Sequence, residues 1–247
     1  MDWTPTYGRL ARIAADQWGL ITRRQGEAAG VSASTLKRLA ATGGGLQRLA
    51  HGVYRLAGAP LPDHAELRAA WLQLAPETPA WQRTPEQGVV SHRSAARLYG
   101  LGDLPADRHE FTLPVRRQSR RADVRLHHRS LSPAQGITLQ GLPVTRPSRI
   151  ASDLLWDRED PAAVAQITND AIREVFDDAG TFADELAPHA AHFGLRRGDG
   201  LAVLGWLLDL VGDPQTPRYM EEAEAHVRRS SGEASSVPPT PARTSRG

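Results

Sequence analysis

The sequence contains no cysteine among its 247 residues. Disulfide bonds, zinc sites with thiolate ligands and thiol catalysis are therefore excluded. Lysine is almost absent as well, since Lys37 is the one lysine beside 29 arginines. A P-loop, a Schiff-base enzyme and a lysine-dependent nuclease each need a lysine in their own motif, so these classes are excluded too.

Long apolar runs are also missing. The most apolar stretch, LAVLGWLLDLVG at residues 201–212, is too short to span a bilayer and contains Asp209. The first residues, MDWTPTYGRL, include an early Asp2 and no apolar segment of the kind that a secretory signal needs. With 40% hydrophobic and 23% charged residues, the composition is typical of a globular protein. We therefore expect a cytoplasmic protein without a membrane partner.

The charge is unevenly distributed, although the formal net charge is only +2. Residues 1–62 carry 8 basic and 3 acidic side chains, and residues 63–156 carry 13 and 9. Residues 157–212 carry 4 basic and 11 acidic side chains. A basic first part followed by an acidic part is typical of a chain whose first part meets nucleic acid. Ordinary solvated faces explain the same numbers, so the motifs have to decide.

The first motif is a pair of short helices around a glycine turn. An amphipathic helix is predicted over residues 6–18, ended by Gly19. Thr22 and Gln25 then form a capping box, which starts a second helix that Gly30 ends. Gly26 stands four residues before Gly30, where two helices of a helix-turn-helix must touch and only a small residue fits. Gln25 occupies a position where an apolar residue is common, and its capping role accounts for it.

A third helix and a hairpin follow. Ser32 can cap the third helix, Leu36 and Leu39 face the core, and the glycines at residues 43–45 end it. The β-prone runs LQRLA and VYRLA lie on either side of His51-Gly52 and predict a hairpin. Three helices followed by a hairpin is the order of a winged helix-turn-helix.

Several polar and basic side chains of this region are candidates for contacts with double-stranded DNA. Small hydroxyl residues early in the third helix let it enter a major groove, and basic residues behind them can reach phosphates or guanine edges. The second helix and the hairpin add further basic groups. The candidate DNA-binding residues are Arg23, Arg24, Ser32, Ser34, Thr35, Lys37, Arg38, Arg48, His51 and Arg55. A basic helical hairpin that binds no DNA is the alternative interpretation.

The rest of the chain predicts a mixed second domain and a terminal segment, which makes the fold class α+β. A GAPLP hinge at residues 58–62 separates residues 1–60 from a domain over residues 63–212. That domain begins with a helix over residues 63–74 and continues with a small sheet built from VV, EFTLP, VRLHH and the pair ITL/LPVT. From Pro147 the pattern is helical. Residues 213–247 predict a terminal helix and, from about residue 230, a disordered low-complexity tail.

Other polar groups have competing interpretations. Ser91-His92 can be imagined as part of a hydrolase triad, but Ser91 is better interpreted as a helix cap. His127 and His128 are adjacent on a strand and point to opposite faces, so a solvated or half-buried pair is favoured over a metal site. We therefore expect no catalytic residues, no metal site and no cofactor.

RRQSRR at residues 116–121 places four arginines between two strands. This segment predicts an exposed loop. The loop contacts nucleic acid, contacts an acidic partner or is only solvated, and the residues concerned are Arg116, Arg117, Arg120 and Arg121.

The segments WGLITRRQGEAAGVSASTLKRL and LQRLAHGVYRL resemble the winged-helix domain of AbiEi-type antitoxins from type IV toxin-antitoxin systems. VVSHRSAARLYGL and GLPVTRPSRIASDLL resemble the second domain of many bacterial members, so the likeness spans roughly residues 6–156. It is most specific around Gly52, Val53 and Tyr54.

The resemblance implies a protein that binds inverted repeats ahead of its own operon and represses it. It also implies that the second domain counteracts a toxin of nucleotidyltransferase type, with a direct complex left open. The protein is expected as a monomer or as a dimer assembled on DNA. A non-enzymatic protein-interaction module, or a general regulator without a toxin partner, is the alternative.

Overall fold

The computed structural model describes residues 4–41 and 45–234. The chain divides into two compact units, Met1–Thr145 and Arg146–Gly247. The described residues of the first unit form two sheets with helices, and those of the second are helical. The predicted α+β class is therefore confirmed. The sequence also predicts domain boundaries near residues 60 and 212. Whether the segments between them fold independently is not tested by this division, so these boundaries stay predictions.

The first unit begins with a winged helix-turn-helix. Its elements are α1 (Thr4–Ala15), β1 (Leu20–Thr22), α2 (Arg23–Ala28), α3 (Ala33–Ala41), β2 (Leu46–Ala50) and β3 (Val53–Leu56). The three strands form an antiparallel sheet in the order β1-β3-β2. The three predicted helices and the hairpin are all present. The strand β1 was not predicted.

The turn between α2 and α3 follows the predicted chemistry. The side chain of Thr22 accepts from the backbone N–H of Gln25, and the side chain of Gln25 accepts from the backbone N–H of Thr22, so the capping box is confirmed. Gly30 ends α2 with φ +78°, a left-handed conformation that favours glycine. The first helix ends earlier than predicted, at Ala15. The predicted helix-ending glycines Gly43 and Gly44 lie outside the described residues.

The core of the winged helix is apolar and draws on α1, α3, the three strands and the turn between α2 and α3. Its buried residues are Leu10, Ala14, Ile21, Val31, Leu36, Leu39, Leu46, Tyr54 and Leu56. Leu36 and Leu39 are thus inward-facing, as predicted. Burial of this apolar surface stabilises the three helices against the small sheet.

A buried polar pair lies beside this core. Gln17 and Gln25 are 0% and 2% exposed, and their side-chain amides exchange hydrogen bonds of 2.6 and 3.2 Å. Gln25 also donates to the carbonyl of Thr78 (3.2 Å), and Gln17 accepts from the backbone N–H of Ala80 (3.2 Å). Gln25 therefore caps α2 and also joins the winged helix to the segment around residues 78–80.

The remainder of the first unit contains a five-stranded sheet. Its elements are α4 (Ala65–Leu74), β4 (Val89–Val90), α5 (His92–Tyr99), β5 (His109–Leu113), β6 (Val124–His128), β7 (Gly136–Leu139) and β8 (Leu142–Thr145). The strand order is β6-β5-β4-β8-β7. The pairs β5–β6 and β4–β8 are parallel, whereas β4–β5 and β7–β8 are antiparallel. The predicted small sheet is confirmed.

Aromatic and arginine side chains attach the winged helix to this second part of the unit. Trp18, after α1, meets Trp71 of α4 edge to face at 6.0 Å. The guanidinium of Arg68 lies 4.3 Å from the Trp18 ring and donates to the carbonyl of Gln140 (2.9 Å) in the β7–β8 turn. Burial lowers the pKa of Arg68. These contacts fix the base of the winged helix on α4.

The helix α5 begins differently from the prediction. Ser91 occupies the cap position, but its side chain makes no capping hydrogen bond. Instead, the carboxylate of Glu110 on β5 accepts from the backbone N–H of Arg93 at 3.0 Å. A negative charge satisfies the first turn of a helix better than a hydroxyl does, and this one is buried. The cap comes from a neighbouring strand, which local sequence does not reveal.

The second unit contains α6 (Pro147–Trp156), α7 (Pro161–Arg173), α8 (Ala179–Leu186), a 3₁₀ helix (Ala187–Phe193), α9 (Gly200–Val211) and α10 (Thr216–Ala234). The predicted helical pattern from Pro147 is confirmed, with Ile150, Ala151, Leu154 and Leu155 buried. The helix α10 continues to Ala234, past the predicted start of the tail. The remainder of the predicted tail, residues 235–247, lies outside the described residues.

Candidate nucleic-acid interface

The helix α3 presents a polar face to solvent. Ser34, Lys37 and Arg38 are exposed, and Thr35 is half-buried. The opposite face holds the buried residues Leu36 and Leu39, which pack into the core. A helix with a packed inner face and an exposed polar outer face has the arrangement that a major-groove contact requires.

The amino-terminal end of α3 carries a cluster of hydroxyl groups. The Oγ of Ser32 accepts from the backbone N–H of Thr35 (3.2 Å), which confirms Ser32 as the cap of α3. The same Oγ lies 2.9 Å from the hydroxyl oxygens of Thr35 and Ser34. These side chains are short, so the backbone of this end can approach a surface closely. Hydroxyl groups donate to phosphate oxygens and to base edges alike.

Arg23 and Arg24 lie at the amino-terminal end of α2. Arg23 forms an ion pair with Glu27 (3.4 Å), and Arg24 lies 3.7 Å from Glu27 and 3.9 Å from Glu77. Their side chains are 47% and 53% exposed, so these pairs are weak and water-screened. The backbone N–H of Arg23 donates to the carbonyl of Gly52 at 2.7 Å. The first turn of α2 therefore touches the turn of the hairpin.

The hairpin β2–β3 is the wing, and its three predicted basic residues differ in their surroundings. Arg48 and His51 are exposed and contact each other, with 3.3 Å between Arg48 Nη2 and His51 Nδ1. Arg55 is half-buried, and it donates to the carbonyl of Ala59 and to Gln47 Oε1. The structure thus brings Arg48 and His51 to the surface of the wing. It assigns Arg55 a role in holding the chain that leaves β3.

The predicted arginine-rich segment also lies in this unit, between β5 and β6. Arg116, Arg117 and Arg120 are exposed, and Arg121 is half-buried. Arg117 donates to the carbonyl of Leu74 (2.6 Å), at the end of α4. Arg121 donates to Gln73 and to Asp123. Two of its arginines therefore fix the segment, and the others point outward.

A buried histidine pair was missed by sequence reasoning. His92 and His127 stack with 3.5 Å between ring centroids and 13° between planes. Nδ1 of His92 lies 2.9 Å from the Oγ of Ser91, and Nε2 of His127 lies 3.3 Å from Glu110 Oε1. The pair joins α5 to β5 and β6. His128 faces elsewhere, with Nε2 3.0 Å from the carbonyl oxygen of Pro114, as the alternation along a strand predicts.

The residues that carry this surface are similar to a known family. Residues 9–57 match the family described as transcriptional regulator, AbiEi antitoxin. This part of the chain is therefore similar to AbiEi-type regulator domains. The match begins within α1 and ends just after β3, so it encloses the third helix and the wing. No curated protein matches the chain.

The match confirms the predicted resemblance over residues 9–57 and supports a DNA-binding antitoxin and transcriptional regulator. The family is a regulatory one. Beyond residue 57 the likeness stays a prediction. Among the described residues, no helix is long and apolar enough to cross a membrane.

Proposed function

We propose that this protein is a DNA-binding antitoxin that represses its own operon and counteracts a toxin of nucleotidyltransferase type. The observation that carries the proposal is the exposed face of α3, with Ser34, Lys37 and Arg38, on an AbiEi-type domain. The protein acts in the cytoplasm, where its promoter is.

In this proposal α3 enters the major groove. The hydroxyl residues at its start approach the base edges, and Lys37 and Arg38 contact phosphates or guanines. Arg23 and Arg24 hold phosphates at the start of α2. Arg48 and His51 extend these contacts from the wing. Inverted repeats present the same half-site twice, so two copies of the monomer assemble on one operator.

The DNA-binding part is tested with the full chain and the DNA directly upstream of its own gene. The parent should prefer this DNA over a random duplex of equal length, and Lys37→Ala with Arg38→Ala should remove most of that preference. The double variant Arg196→Ala with Arg197→Ala removes two charges from an exposed loop of the second unit, so it is the matched control. If the α3 variant binds as tightly as the parent at physiological salt, the assignment of α3 is wrong.

The antitoxin part is tested by co-expression with the product of the adjacent gene. The full chain should restore growth to cells that express a nucleotidyltransferase-like toxin. The Lys37→Ala, Arg38→Ala variant should lose repression and keep this protection, because residues 63–212 are intact. Affinity capture of the toxin by the full chain then establishes whether a direct complex forms.

A regulator without a toxin partner is the second candidate, since the family match covers only the winged helix. Preferred binding to the upstream DNA without any protection of growth would favour it. Salt-sensitive binding to an acidic protein, with no preference for the upstream DNA, would instead indicate a protein-interaction module.

A further inference from the structure

The loop over residues 114–123, called here the arginine loop, joins two parallel strands. Because β5 and β6 run in the same direction, the chain must return from Leu113 to Val124 along the length of a strand. For five residues this is about 16 Å. The loop makes this return without a helix and contains Arg116, Arg117, Arg120 and Arg121. The loop holds only one acidic residue beside these four arginines, Asp123.

Two of these arginines fix the loop on the carboxyl-terminal end of α4. Arg117 donates to the carbonyl of Leu74, the last residue of α4, at 2.6 Å. Arg121 donates to the side chain of Gln73 and pairs with Asp123. The charge of Asp123 is therefore used inside the loop. Guanidinium groups are suited to such fixed, planar hydrogen bonding.

One side chain joins the arginine loop to the wing. The Oε1 of Gln73 accepts from Arg121, and the Nε2 of the same amide donates to the carbonyl of His51 in the wing turn. The amide group of a glutamine is only a few ångströms wide, so the loop and the wing turn are neighbours on the same unit. The loop is thus placed beside Arg48 and His51.

The two remaining arginines are available for a ligand. Arg116 and Arg120 are exposed, and neither forms a hydrogen bond or an ion pair with any residue that the structure describes. An uncompensated pair of guanidinium groups on an anchored loop is a site for oxyanions such as phosphate. It needs no base edge, so it carries no sequence preference.

We infer that the arginine loop is a second DNA-binding surface, whose Arg116 and Arg120 bind backbone phosphates of the duplex beside the half-site that α3 contacts. The inference rests on the proposed function, which brings duplex DNA to α3 and the wing. The loop then lengthens the contacted stretch beyond the AbiEi-type domain. An acidic protein is the competing partner, and in that case the loop variant should bind both DNA probes as the parent does.

The test compares the full chain with Arg116→Gln, Arg120→Gln by fluorescence anisotropy. The probes are the DNA upstream of the gene and a random duplex of equal length, each titrated between about 50 and 200 mM KCl. Each phosphate contact contributes about 0.9 to the slope of log affinity against log salt, so the variant should lose nearly 2 from this slope on both probes. The ratio of the parent's affinity to the variant's affinity should therefore fall roughly tenfold as the salt rises across this range.

Two further variants show whether the loss of slope comes from the positive charge at positions 116 and 120. Arg116→Lys, Arg120→Lys keeps both charges and should retain most of the parent's slope. Arg196→Gln, Arg197→Gln removes two charges from the second unit and should leave the slope unchanged. Circular dichroism and the thermal midpoint show whether each variant remains folded, as substitutions at exposed positions should.

The outcomes separate the two proposals. A parent-like slope and affinity for Arg116→Gln, Arg120→Gln on both probes overturns the arginine loop as a DNA contact, and so does an equal loss in the control of the second unit. If the parent shows no preference for the upstream DNA while the loop variant still loses slope on the random duplex, the proposed repressor fails and the loop contact stands.

Discussion

Gly26 of α2 lies directly against Leu36 of α3. A Cβ atom on Gly26 would come within 2.8 Å of Leu36 Cδ1, closer than packed carbon atoms approach each other. Leu36 is 0% exposed, so its side chain has little room to move aside. The contact holds α3 at its angle to α2, and the proposed DNA contact of α3 depends on that angle.

Gly26→Ala should therefore lower the free energy of unfolding despite the better helix propensity of alanine. Overpacking costs about 1–3 kcal/mol, of which roughly 1 is recovered from propensity. Leu36→Val makes room for the new methyl group, so the double variant should be more stable than the sum of the single effects allows. Urea denaturation of the four proteins measures this coupling. Strict additivity would show that the two residues do not touch.

The buried amide pair gives a second prediction. Gln25→Leu removes one helix cap and leaves the amide of Gln17 with a lost partner in the interior, so it should destabilise the protein by about 2–3 kcal/mol. Gln17→Leu should cost a similar amount. Replacing both by leucine leaves neither amide without the other, so the double variant should lose clearly less than the sum. Chemical denaturation of the set provides the check, and a double variant that loses the full sum would contradict it.

The two arginines of the wing should separate stability from binding. Arg55→Ala loses hydrogen bonds to Ala59 and Gln47, and we expect a loss of about 1.5–3 kcal/mol in the free energy of unfolding. Arg48→Ala alters an exposed side chain and should change stability by less than about 0.5 kcal/mol. For Arg48→Ala, the slope of log affinity against log salt on the upstream DNA should become about 1 less steep. Thermal denaturation and anisotropy on the same samples would show the reverse pattern if these roles were exchanged.

Acid should destabilise the first unit through His109. Burial lowers the pKa of His109, with Asp123 opposing and Arg121 assisting. The unfolded chain, with a histidine pKa of about 6.5, then takes up the proton first, and the free energy of unfolding falls as the pH drops below that value. His109→Gln should reduce this fall between about pH 7 and pH 5. Denaturation curves at both values test it, and an unchanged difference between them would rule His109 out.

Local chemistry made much of the winged helix predictable. Thr22, Gln25, Gly30 and Ser32 act within a few residues of their own positions, and each does what its type and spacing indicate. The exposed face of α3 followed from the buried positions of Leu36 and Leu39. The strand β1 was not predicted because its three residues are all buried and show no alternation of apolar and polar side chains. Such a short strand forms only because β3 offers it a hydrogen-bonding partner.

Contacts between distant segments were not predictable. Glu110 replaces Ser91 as the cap of α5, and the stacked pair of His92 and His127 depends on strand pairing. Likewise, no pattern in the sequence places the arginine loop beside the wing, since Gln73 makes the connection through two separate hydrogen bonds. The sequence indicated the residue types of these sites but not their neighbours.

The attachment of Trp18 to Trp71, Arg68 and the β7–β8 turn decides how this protein can be dissected. A fragment that ends near residue 60 would expose the indole ring of Trp18 to solvent. It would also remove Thr78 and Ala80, the backbone partners of the Gln25 and Gln17 amides. Such a fragment would aggregate and unfold locally. A weak gel shift measured with it would underestimate the DNA affinity of the full chain. A cut after Thr145 keeps every one of these surfaces covered.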